Sequence, residues 1–473
     1  MTAPTVILPK VAGGIGSSEA RPDGIPKVEG SFAYSSDLHR EGMLWGGTLR
    51  SPHARARIAR IETAPALTLT GVHAVLTIED VPGRKLFGLE EPDQPVLADG
   101  EVRYWGEPVA LVAADDPETA RRAVAAIDIE YEELPPLVDP QKAERDESIF
   151  RRLRVRRGDP DARGHVVIEG FYQVGMQDQA PLGTESGLAI PDGEGGVDLH
   201  ISTQWLHVDH QQVTASLGLR PEQVRLHLAG IGGAFGARED CSLQIHLCLL
   251  ALRTGRPVKM VYDRAESFVG HVHRHPALLW YRHEAHPDGR LARVEAKLLI
   301  DGGAYVSTSG SVIANATYFS VGPYRCPSVK VDGIAVRTNN PPCGAMRGFG
   351  AVQSCFGYEA QMDRLAEVLG MDPVELRLIN ALGPGDELAT TGQVVEGSLP
   401  TSEDIQSLVS LPLPDESHSD DPRRLPGGTG LTTPRAAVRR GIGFAVGIKN
   451  LAFSEGFDDY AEARAVLTPE GVE

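Results

Sequence analysis

The sequence lacks closely spaced pairs of cysteine. Its five cysteines stand at positions 241, 248, 326, 343 and 355, and no two of them form a Cys-x-x-Cys motif. Iron–sulfur clusters and structural zinc sites are usually held by such motifs, so the spacing argues against both, and reduced thiols in the core are expected. Electrons released by chemistry in this chain would therefore leave through another polypeptide.

Long apolar segments are also missing. No stretch approaches the about 18 consecutive apolar residues of a membrane helix. The first ten residues have neither the charged head nor the apolar stretch of a signal peptide. We therefore expect a cytoplasmic protein that does not contact a membrane.

The chain has no excess of positive charge. Its formal net charge of −18 repels nucleic acid, so no nucleic-acid partner is expected. The densest basic segment, residues 151–157 with five arginines, is interpreted as the solvated face of a linker.

The length and the changes in composition suggest several domains. A chain of 473 residues is too long for one core and predicts about two to four domains. The predicted fold class is α+β, and the predicted order is a flexible arm (1–24), an α/β domain (25–138), a charged linker (139–163), a mixed α/β domain (164–400), a linker rich in Ser, Asp, Pro and Gly (401–435), and the incomplete start of a further domain (436–473).

Local signals place several elements. Asp116 followed by Pro117 predicts a helix start, because aspartate caps the first amides and proline fits the first helical position. Residues 241–252 are apolar almost all round and predict a buried helix that ends at Gly255. The alternating residues 223–228 predict a strand that leads into the most unusual segment of the chain.

That segment is one of two glycine-rich loops, each with one bulky aromatic side chain. Residues 230–240 read Gly-Ile-Gly-Gly-Ala-Phe-Gly-Ala-Arg-Glu-Asp, and residues 344–350 read Gly-Ala-Met-Arg-Gly-Phe-Gly. Glycine loses more chain entropy on folding than other residues, so such loops indicate positive φ angles or a ligand close to bare backbone. The spacing does not match the dinucleotide-binding pattern Gly-x-Gly-x-x-Gly. We predict that the two loops are two walls of one pocket.

The two loops resemble the signature loops of the molybdenum-binding large subunit of the xanthine dehydrogenase and aldehyde oxidase family, and most closely those of the bacterial purine-oxidising type. Further segments share the resemblance, namely Val28–Tyr34, Arg50–Ala56, Arg103–Ala110, Asp372–Arg377 and, more weakly, Arg440–Ala445. The resemblance implies an α/β hammerhead domain, a first molybdopterin-binding domain, and a second such domain that is only begun.

Five residues would hold the cofactor in this family pattern. Gln204 can donate one hydrogen bond and accept another without adding charge, although the local sequence alone also suits a structural glutamine. The resemblance implies that Gln204, Phe235 and Arg347 lie next to the molybdenum. It also implies that the backbone at Gly233 and Gly236 holds the anionic cofactor.

Three residues are implied to bind the substrate. Glu239 could accept hydrogen bonds from ring N–H groups, or could simply favour a helix N-terminus through its charge. Phe349 could stack on a planar ring. Asn315 stands at the approximate position of an arginine in xanthine-type enzymes, and an amide supplies no positive charge there.

The histidines at 271, 273 and 275 suggest a competing hypothesis. On a strand all three imidazoles would face one side and could bind zinc. No carboxylate stands at metalloprotease spacing, so structural roles are the preferred interpretation.

The resemblance implies a molybdenum hydroxylase subunit that oxidises hypoxanthine or xanthine with water as the oxygen source. It implies a molybdenum–molybdopterin cofactor, expected in the dinucleotide form, with 2Fe-2S and FAD on partner subunits in a homodimer of heteromers. The family's general-base glutamate is not found in residues 440–473, so the remaining half is expected on a separate polypeptide, or the chain is inactive alone. An aldehyde or another N-heterocycle as substrate, and a non-catalytic assembly piece, are the alternatives.

Overall fold

A computed structural model of the protein describes residues 17–18, 20–396, 399, 401–412, 441–450, 466–468 and 471–472. The arm predicted at 1–24, the linker predicted at 401–435 and the unit predicted at 436–473 fall largely outside these residues. No described helix combines the length and the apolar character that a membrane crossing requires.

The described chain mixes helices and strands, as the predicted α+β class requires. The helices are α1 (Gly24–Glu29), α2 (Ala64–Leu67), α3 (Pro117–Ala126), α4 (Pro140–Arg145), α5 (Leu206–Leu217), α6 (Gln244–Thr254), α7 (Arg264–Gly270), α8 (Ser309–Tyr318), α9 (Ala351–Leu369), α10 (Pro373–Asn380) and α11 (Thr401–Val409). The strands are β1 (Leu44–Arg50), β2 (Ala56–Glu62), β3 (Val72–Leu76), β4 (Leu86–Phe87), β5 (Gln94–Pro95), β6 (Glu101–Val102), β7 (Pro108–Ala114), β8 (Asp128–Glu133), β9 (Ile149–Arg157), β10 (Val166–Val174), β11 (Ser186–Pro191), β12 (Val197–Ile201), β13 (Val224–Leu228), β14 (Val258–Val261), β15 (Ala277–Ala285), β16 (Leu291–Asp301), β17 (Val329–Val336), β18 (Leu467–Thr468) and β19 (Gly471–Val472).

A seven-stranded mixed sheet joins the first predicted domain to the second. Its order is β13-β12-β11-β14-β1-β7-β3, and β1 pairs in parallel with β14 through Leu44 and Val258. The strands β1, β3 and β7 therefore share a sheet with strands that follow residue 164. The two predicted domains are not separated by a clean boundary in space.

The buried helix predicted at 241–252 is α6, which begins three residues later at Gln244. Its Leu247 and Leu250 belong to the same apolar core as Met260 of β14. Gly255 ends the helix in the left-handed conformation, with φ 64°. The cap predicted at Asp116 is also present, since its carboxylate accepts from the amides of Glu118 and Thr119.

A five-stranded sheet of order β10-β15-β16-β17-β9 forms the second layer. Its outer strand β9 lies inside the segment 139–163 that the sequence predicts as a linker, and this prediction is wrong for β9. Arginines and apolar residues alternate along the second half of β9. Arg154 and Arg156 face solvent, while Leu153 and Val155 pack against the core of this sheet. The basic run is the solvated face of an edge strand.

The helix α11 corrects a second linker prediction. It occupies the beginning of the segment 401–435, and its Ile405 is buried. The remainder of that predicted linker, from residue 413, lies outside the described residues.

Acid stability provides a test of the core around β15. Burial lowers the pKa of His283 from its ordinary value of 6.5 to about 3. Below pH 6.5 the unfolded chain gains a proton that the folded chain refuses, so stability is lost as the pH falls. His283 should therefore cost about 2 kcal/mol of unfolding free energy between pH 7 and pH 5. Urea unfolding of His283→Leu should show a correspondingly smaller acid loss than the unmodified protein, and equal losses would contradict this account.

Candidate active site

The two glycine-rich loops contact each other backbone to backbone. The amide of Arg347 donates to the carbonyl oxygen of Phe235 at 2.9 Å. A Cβ atom added to Gly236 would lie 2.5 Å from the carbonyl oxygen of Ala345. The approach of the two loops, expected from the sequence, is therefore present, and at Gly236 it leaves no room for a side chain.

Both loops hold strained backbone conformations. Gly233 and Gly236 have φ angles of 105° and 106°, while Phe235 and Phe349 have φ angles of 55° and 45°. A bulky residue in the left-handed region costs about 1–3 kcal/mol. Five described residues other than glycine have positive φ, namely Glu147, Ala180, Phe235, Ser307 and Phe349. All except Glu147 belong to the loops or to segments that bond to them, so the strain is concentrated at this site.

The side chain of Gln204 hydrogen-bonds to the backbone of the first loop. Its carbonyl oxygen Oε1 accepts from the amides of Gly236 at 3.0 Å and Arg238 at 3.4 Å. Its Nε2 is 3.5 Å from Oε1 of Glu239. The side chain is exposed, so one amide group organises the loop and still faces the open side of the site.

Two consecutive residues with carboxyl side chains, Glu239 and Asp240, end the first loop. Burial, together with the charge of Asp240, raises the pKa of Glu239 to about 7, although Lys449 opposes the rise. Burial likewise raises the pKa of Asp240 to about 7, and Ser307 donates to its Oδ2 at 3.0 Å. Glu239 is thus a carboxyl group that gains or loses its proton near neutrality.

The second loop supplies an exposed cation beside a half-buried ring. The side chain of Arg347 faces solvent, and Phe349 packs partly against the core of the five-stranded sheet. Asn315 is buried in α8. A Cβ atom on Gly350 would overlap the backbone of α8 at Val312, so the loop rests directly on the helix that carries Asn315.

Other side chains support the loops, and the sequence motifs did not single them out. Arg238 is 4% exposed and donates to the carbonyl oxygen of Thr184 at 3.0 Å and to the hydroxyl of Ser202. Gln179 donates to the carbonyl oxygen of Ala345 at 2.7 Å, and Arg274 donates to that of Arg347 at 2.9 Å. The sequence signal that could have identified Arg238 was an arginine within the glycine-rich loop.

Lys449 was also missed, because it lies far along the chain in a stretch without a recognisable element. The segment 441–450 docks on α9, where the amide of Val446 donates to Glu359 at 3.0 Å and its carbonyl accepts from Tyr358 at 3.0 Å. This docking brings Lys449 close enough to Glu239 for their charges to interact.

The three histidines do not act as one set. His271 and His273 stack with ring centroids 5.5 Å apart, whereas Nε2 of His275 is 2.8 Å from the hydroxyl of Ser309. Burial alone would lower the pKa of His271, but Asp178 and Glu185 outweigh it and raise that pKa to about 9. The carboxylates that the sequence pattern lacked come from residues 178 and 185.

The site as a whole fits an anionic metal cofactor. Gly233 presents backbone without a side chain, Gly236 lets the second loop approach closely while its amide donates to Gln204, and that loop carries the exposed positive charge of Arg347. Phe235 has a strained backbone and its side chain is 50% exposed. Both features suit an apolar side chain that covers a bound ligand. Gln204, Phe235 and Arg347 would surround such a group, and Glu239 would lie next to it.

Two family models match the chain. Residues 29–135 match the family model described as "Aldehyde oxidase and xanthine dehydrogenase, a/b hammerhead domain". Residues 142–381 match the model of the molybdopterin cofactor-binding domain.

Individual relatives support the same assignment. The chain is 37% identical over 380 residues to a probable xanthine dehydrogenase subunit of Bacillus subtilis, covering 78% of this chain and 51% of the relative. It is 37% identical over 403 residues to the nicotinate dehydrogenase large molybdopterin subunit of Eubacterium barkeri, covering 83% of this chain and 95% of the relative.

A solved structure shares the fold. The aldehyde oxidoreductase from Desulfovibrio gigas superposes with a TM-score of 0.79 at 30% identity, covering 83% of this chain and 46% of that structure. The chain thus spans about half the length of this structure and of the Bacillus subtilis relative. The two family models, the two relatives and the shared fold together show that the chain belongs to the aldehyde oxidase and xanthine dehydrogenase family.

Proposed function

We propose that this chain carries the molybdenum-facing loops of a hydroxylase that oxidises a purine, hypoxanthine or xanthine. The observation that supports this most strongly is the direct hydrogen bond between Phe235 of the first loop and Arg347 of the second. That bond joins the backbones of the two loops, so in this proposal the exposed amide of Gln204, the ring of Phe235 and the guanidinium of Arg347 border one space. The compartment is the cytoplasm, which suits the five unpaired cysteines.

The chain's own residues have defined tasks in this proposal. The loop backbone at Gly233 and Gly236 binds the molybdopterin, expected as its dinucleotide, and Arg347 neutralises part of its charge. When bound, the cofactor supplies two-electron oxidation, with the oxygen coming from water. Phe235 and Phe349 orient the ring and keep water away from it, and Glu239 accepts hydrogen bonds from ring N–H groups.

The partners are proposed from the family resemblance, which implies 2Fe-2S and FAD on partner subunits of a homodimer of heteromers. The cysteine spacing, which offers no usual iron–sulfur ligand motif, is consistent with an iron–sulfur centre on another subunit.

A second candidate substrate class is favoured by Asn315. An amide replaces the positive charge that the family resemblance places there in xanthine-type enzymes, and the Eubacterium barkeri relative is named for nicotinate. Other N-heterocycles such as nicotinate, or aldehydes, are therefore the alternative.

The deciding experiment compares three substrates on one preparation. The chain is purified together with its partner subunits, molybdenum is measured per chain, and rates are taken with hypoxanthine, nicotinate and benzaldehyde. We expect stoichiometric molybdenum and a higher kcat/KM for hypoxanthine than for nicotinate or benzaldehyde. A preparation without molybdenum would favour the non-catalytic assembly piece, a preference for nicotinate would favour another N-heterocycle, and a preference for benzaldehyde would favour an aldehyde oxidase.

Glu239→Gln should lower kcat/KM for hypoxanthine by about 10- to 100-fold at pH 8, because the charged acceptor of its ring N–H groups is lost. The pKa of Glu239 lies near 7, so the carboxylate is charged above that pH and neutral below it. The gap between variant and unmodified enzyme should therefore shrink at pH 6. Benzaldehyde has no ring N–H group and serves as the control substrate. A uniform loss for all substrates at both pH values would remove Glu239 from substrate binding.

A further inference from the structure

A compact group of imidazole and carboxylate side chains lies apart from the two aromatic rings and the amide described above. It comprises Asp178, His271 and His273, whose side-chain nitrogen and oxygen atoms lie within 4.8 Å of one another. The Nε2 atoms of His271 and His273 are 3.0 and 3.4 Å from the same oxygen, Oδ2 of Asp178. In a tetrahedral zinc site neighbouring ligand atoms are separated by about 3.3–3.5 Å.

The atoms at the centre of the group lack aligned partners. Oδ2 of Asp178 and both ring nitrogens of His271 are buried and make no aligned hydrogen bond within the described residues, despite their short separations. The other oxygen of Asp178, Oδ1, accepts from the amide of Ala180 at 2.6 Å, which fixes the direction of Oδ2. Such unsatisfied polar atoms are costly in a protein interior and point to a missing ligand.

The second nitrogen of each imidazole faces an acceptor. Nδ1 of His271 is 3.2 Å from Oε1 of Glu185, a side chain that is 2% exposed. Nδ1 of His273 is 3.4 Å from the carbonyl oxygen of Pro342. Histidines that bind metals almost always have a carboxylate or a carbonyl beside their other ring nitrogen, and both imidazoles have such a neighbour here.

A carbonyl oxygen also lies close to the group. Nε2 of His273 hydrogen-bonds to the carbonyl of Phe268, near the end of α7, at 2.8 Å, and a bound metal would replace this contact. Two imidazoles, one carboxylate and one carbonyl suit a first-row divalent ion such as Zn²⁺, which would displace the proton that the two carboxylates favour on His271. The charges of Asp178 and Glu185 would together balance a divalent cation.

We propose that Asp178, His271 and His273 form a structural site for a first-row divalent cation, with Zn²⁺ as the probe ion, independently of the molybdenum function proposed above. His275 is not part of it, because its Nε2 is close to Ser309.

The site joins the segments that support the two loops. Gln179, next to Asp178, donates to the carbonyl oxygen of Ala345 at 2.7 Å. The amide of Gly344 donates to the carbonyl oxygen of His273 at 2.9 Å. A bound cation would therefore link the residue 178 turn, the end of α7 and the start of the second loop, and would stiffen the support under the pocket.

The test measures Zn²⁺ binding directly, without reference to catalysis. The full chain with its partner subunits is dialysed against a chelator, then titrated with Zn²⁺ in competition with a chromophoric chelator. The expected result is one tightly bound Zn²⁺ per chain, which Asp178→Asn and His273→Gln abolish. Glu185→Gln should weaken binding by about 10- to 100-fold, because Glu185 orients a ligand without touching the metal.

A surface variant provides the matched control. His227 stacks on His200 at the exposed end of the seven-stranded sheet, with ring centroids 4.5 Å apart, and is the obvious place for adventitious zinc. His227→Gln should leave the tight binding unchanged. Absence of tight Zn²⁺ in the unmodified chain, or tight binding that survives both Asp178→Asn and His273→Gln, would overturn the proposal.

If the ligand variants unfold, the proposed metal site can still be tested on the unmodified chain. Co²⁺ bound to the unmodified chain should then give the intense visible bands of a low-coordinate nitrogen and oxygen site. Faint bands of a six-coordinate ion would overturn the proposal.

Discussion

Gly236→Ala should lower both the molybdenum content and the activity of the assembled enzyme by more than about tenfold, and a tenfold loss of cofactor affinity corresponds to about 1.4 kcal/mol. Gly236 has φ 106°, and a Cβ atom there would lie 2.5 Å from the carbonyl oxygen of Ala345 and 2.9 Å from the Cα atom of Met346. Both neighbours are backbone atoms of the second loop. A methyl group can be accommodated only if the two loops move apart.

The matched control is Gly370→Ala at the end of α9. Gly370 also has a positive φ, 65°, but a Cβ atom there would meet nothing within 4 Å. It should cost about 1 kcal/mol of stability through backbone strain while leaving molybdenum content unchanged. Molybdenum is measured per chain by elemental analysis, and folding is checked by circular dichroism. Full molybdenum content in a folded Gly236→Ala enzyme would show that the loop contact is not required for the cofactor.

Arg377→Met should lower the free energy of unfolding by about 3–5 kcal/mol, because it leaves buried carboxyl oxygen without its partner charge. The side chain of Arg377 is 1% exposed and pairs with Glu359 and Asp363, each at 2.8 Å. Glu359 also accepts from Tyr324 at 2.5 Å. The loss should appear in urea unfolding of the chain at neutral pH.

Arg364→Met on α9, the helix that carries the two partners of Arg377, Glu359 and Asp363, is the control for Arg377→Met on α10. Arg364 is exposed and donates to the carbonyl oxygen of Glu169 at 2.7 Å. Its replacement should cost no more than about 1 kcal/mol. Similar losses for the two variants would mean that the buried network contributes nothing beyond an ordinary surface contact.

The ion pair between Arg377 and Glu359 also connects α9 to the candidate active site. Glu359 accepts from the amide of Val446, so it holds the segment that brings Lys449 towards Glu239. A change at Arg377 should therefore alter the environment of Glu239 as well as the stability of α9.

The sequence predicted the parts of the site that depend on local backbone chemistry. The glycine spacing indicated positive φ angles, and Gly233 and Gly236 have them. The run of apolar residues that forms α6 was visible because it exceeds the length of a strand and ends at Gly255.

Pairings over long distances in the chain were not predictable. Strand β9 pairs with β17, in which Val331 is opposite Val155, and nothing in residues 149–157 indicates that partner. Five arginines in nine residues concealed the alternation of Leu153 and Val155. Composition therefore suggested a linker where tertiary pairing produced an edge strand.

The carboxylates beside the histidines could not be predicted from the sequence for the same reason. The sequence showed three imidazoles and no carboxylate near them. Asp178 and Glu185 lie more than eighty residues earlier and reach the histidines only through the fold. Likewise, the place of Asn315 beside the second loop depends on Gly350 packing against α8.

Anomalous diffraction at the molybdenum absorption edge, on crystals of the assembled enzyme, would locate the metal relative to the two loops. We expect one molybdenum peak per chain, bordered by the Gln204 amide, the Phe235 ring and the Arg347 guanidinium. A peak far from these three side chains, in an active enzyme, would contradict this expectation.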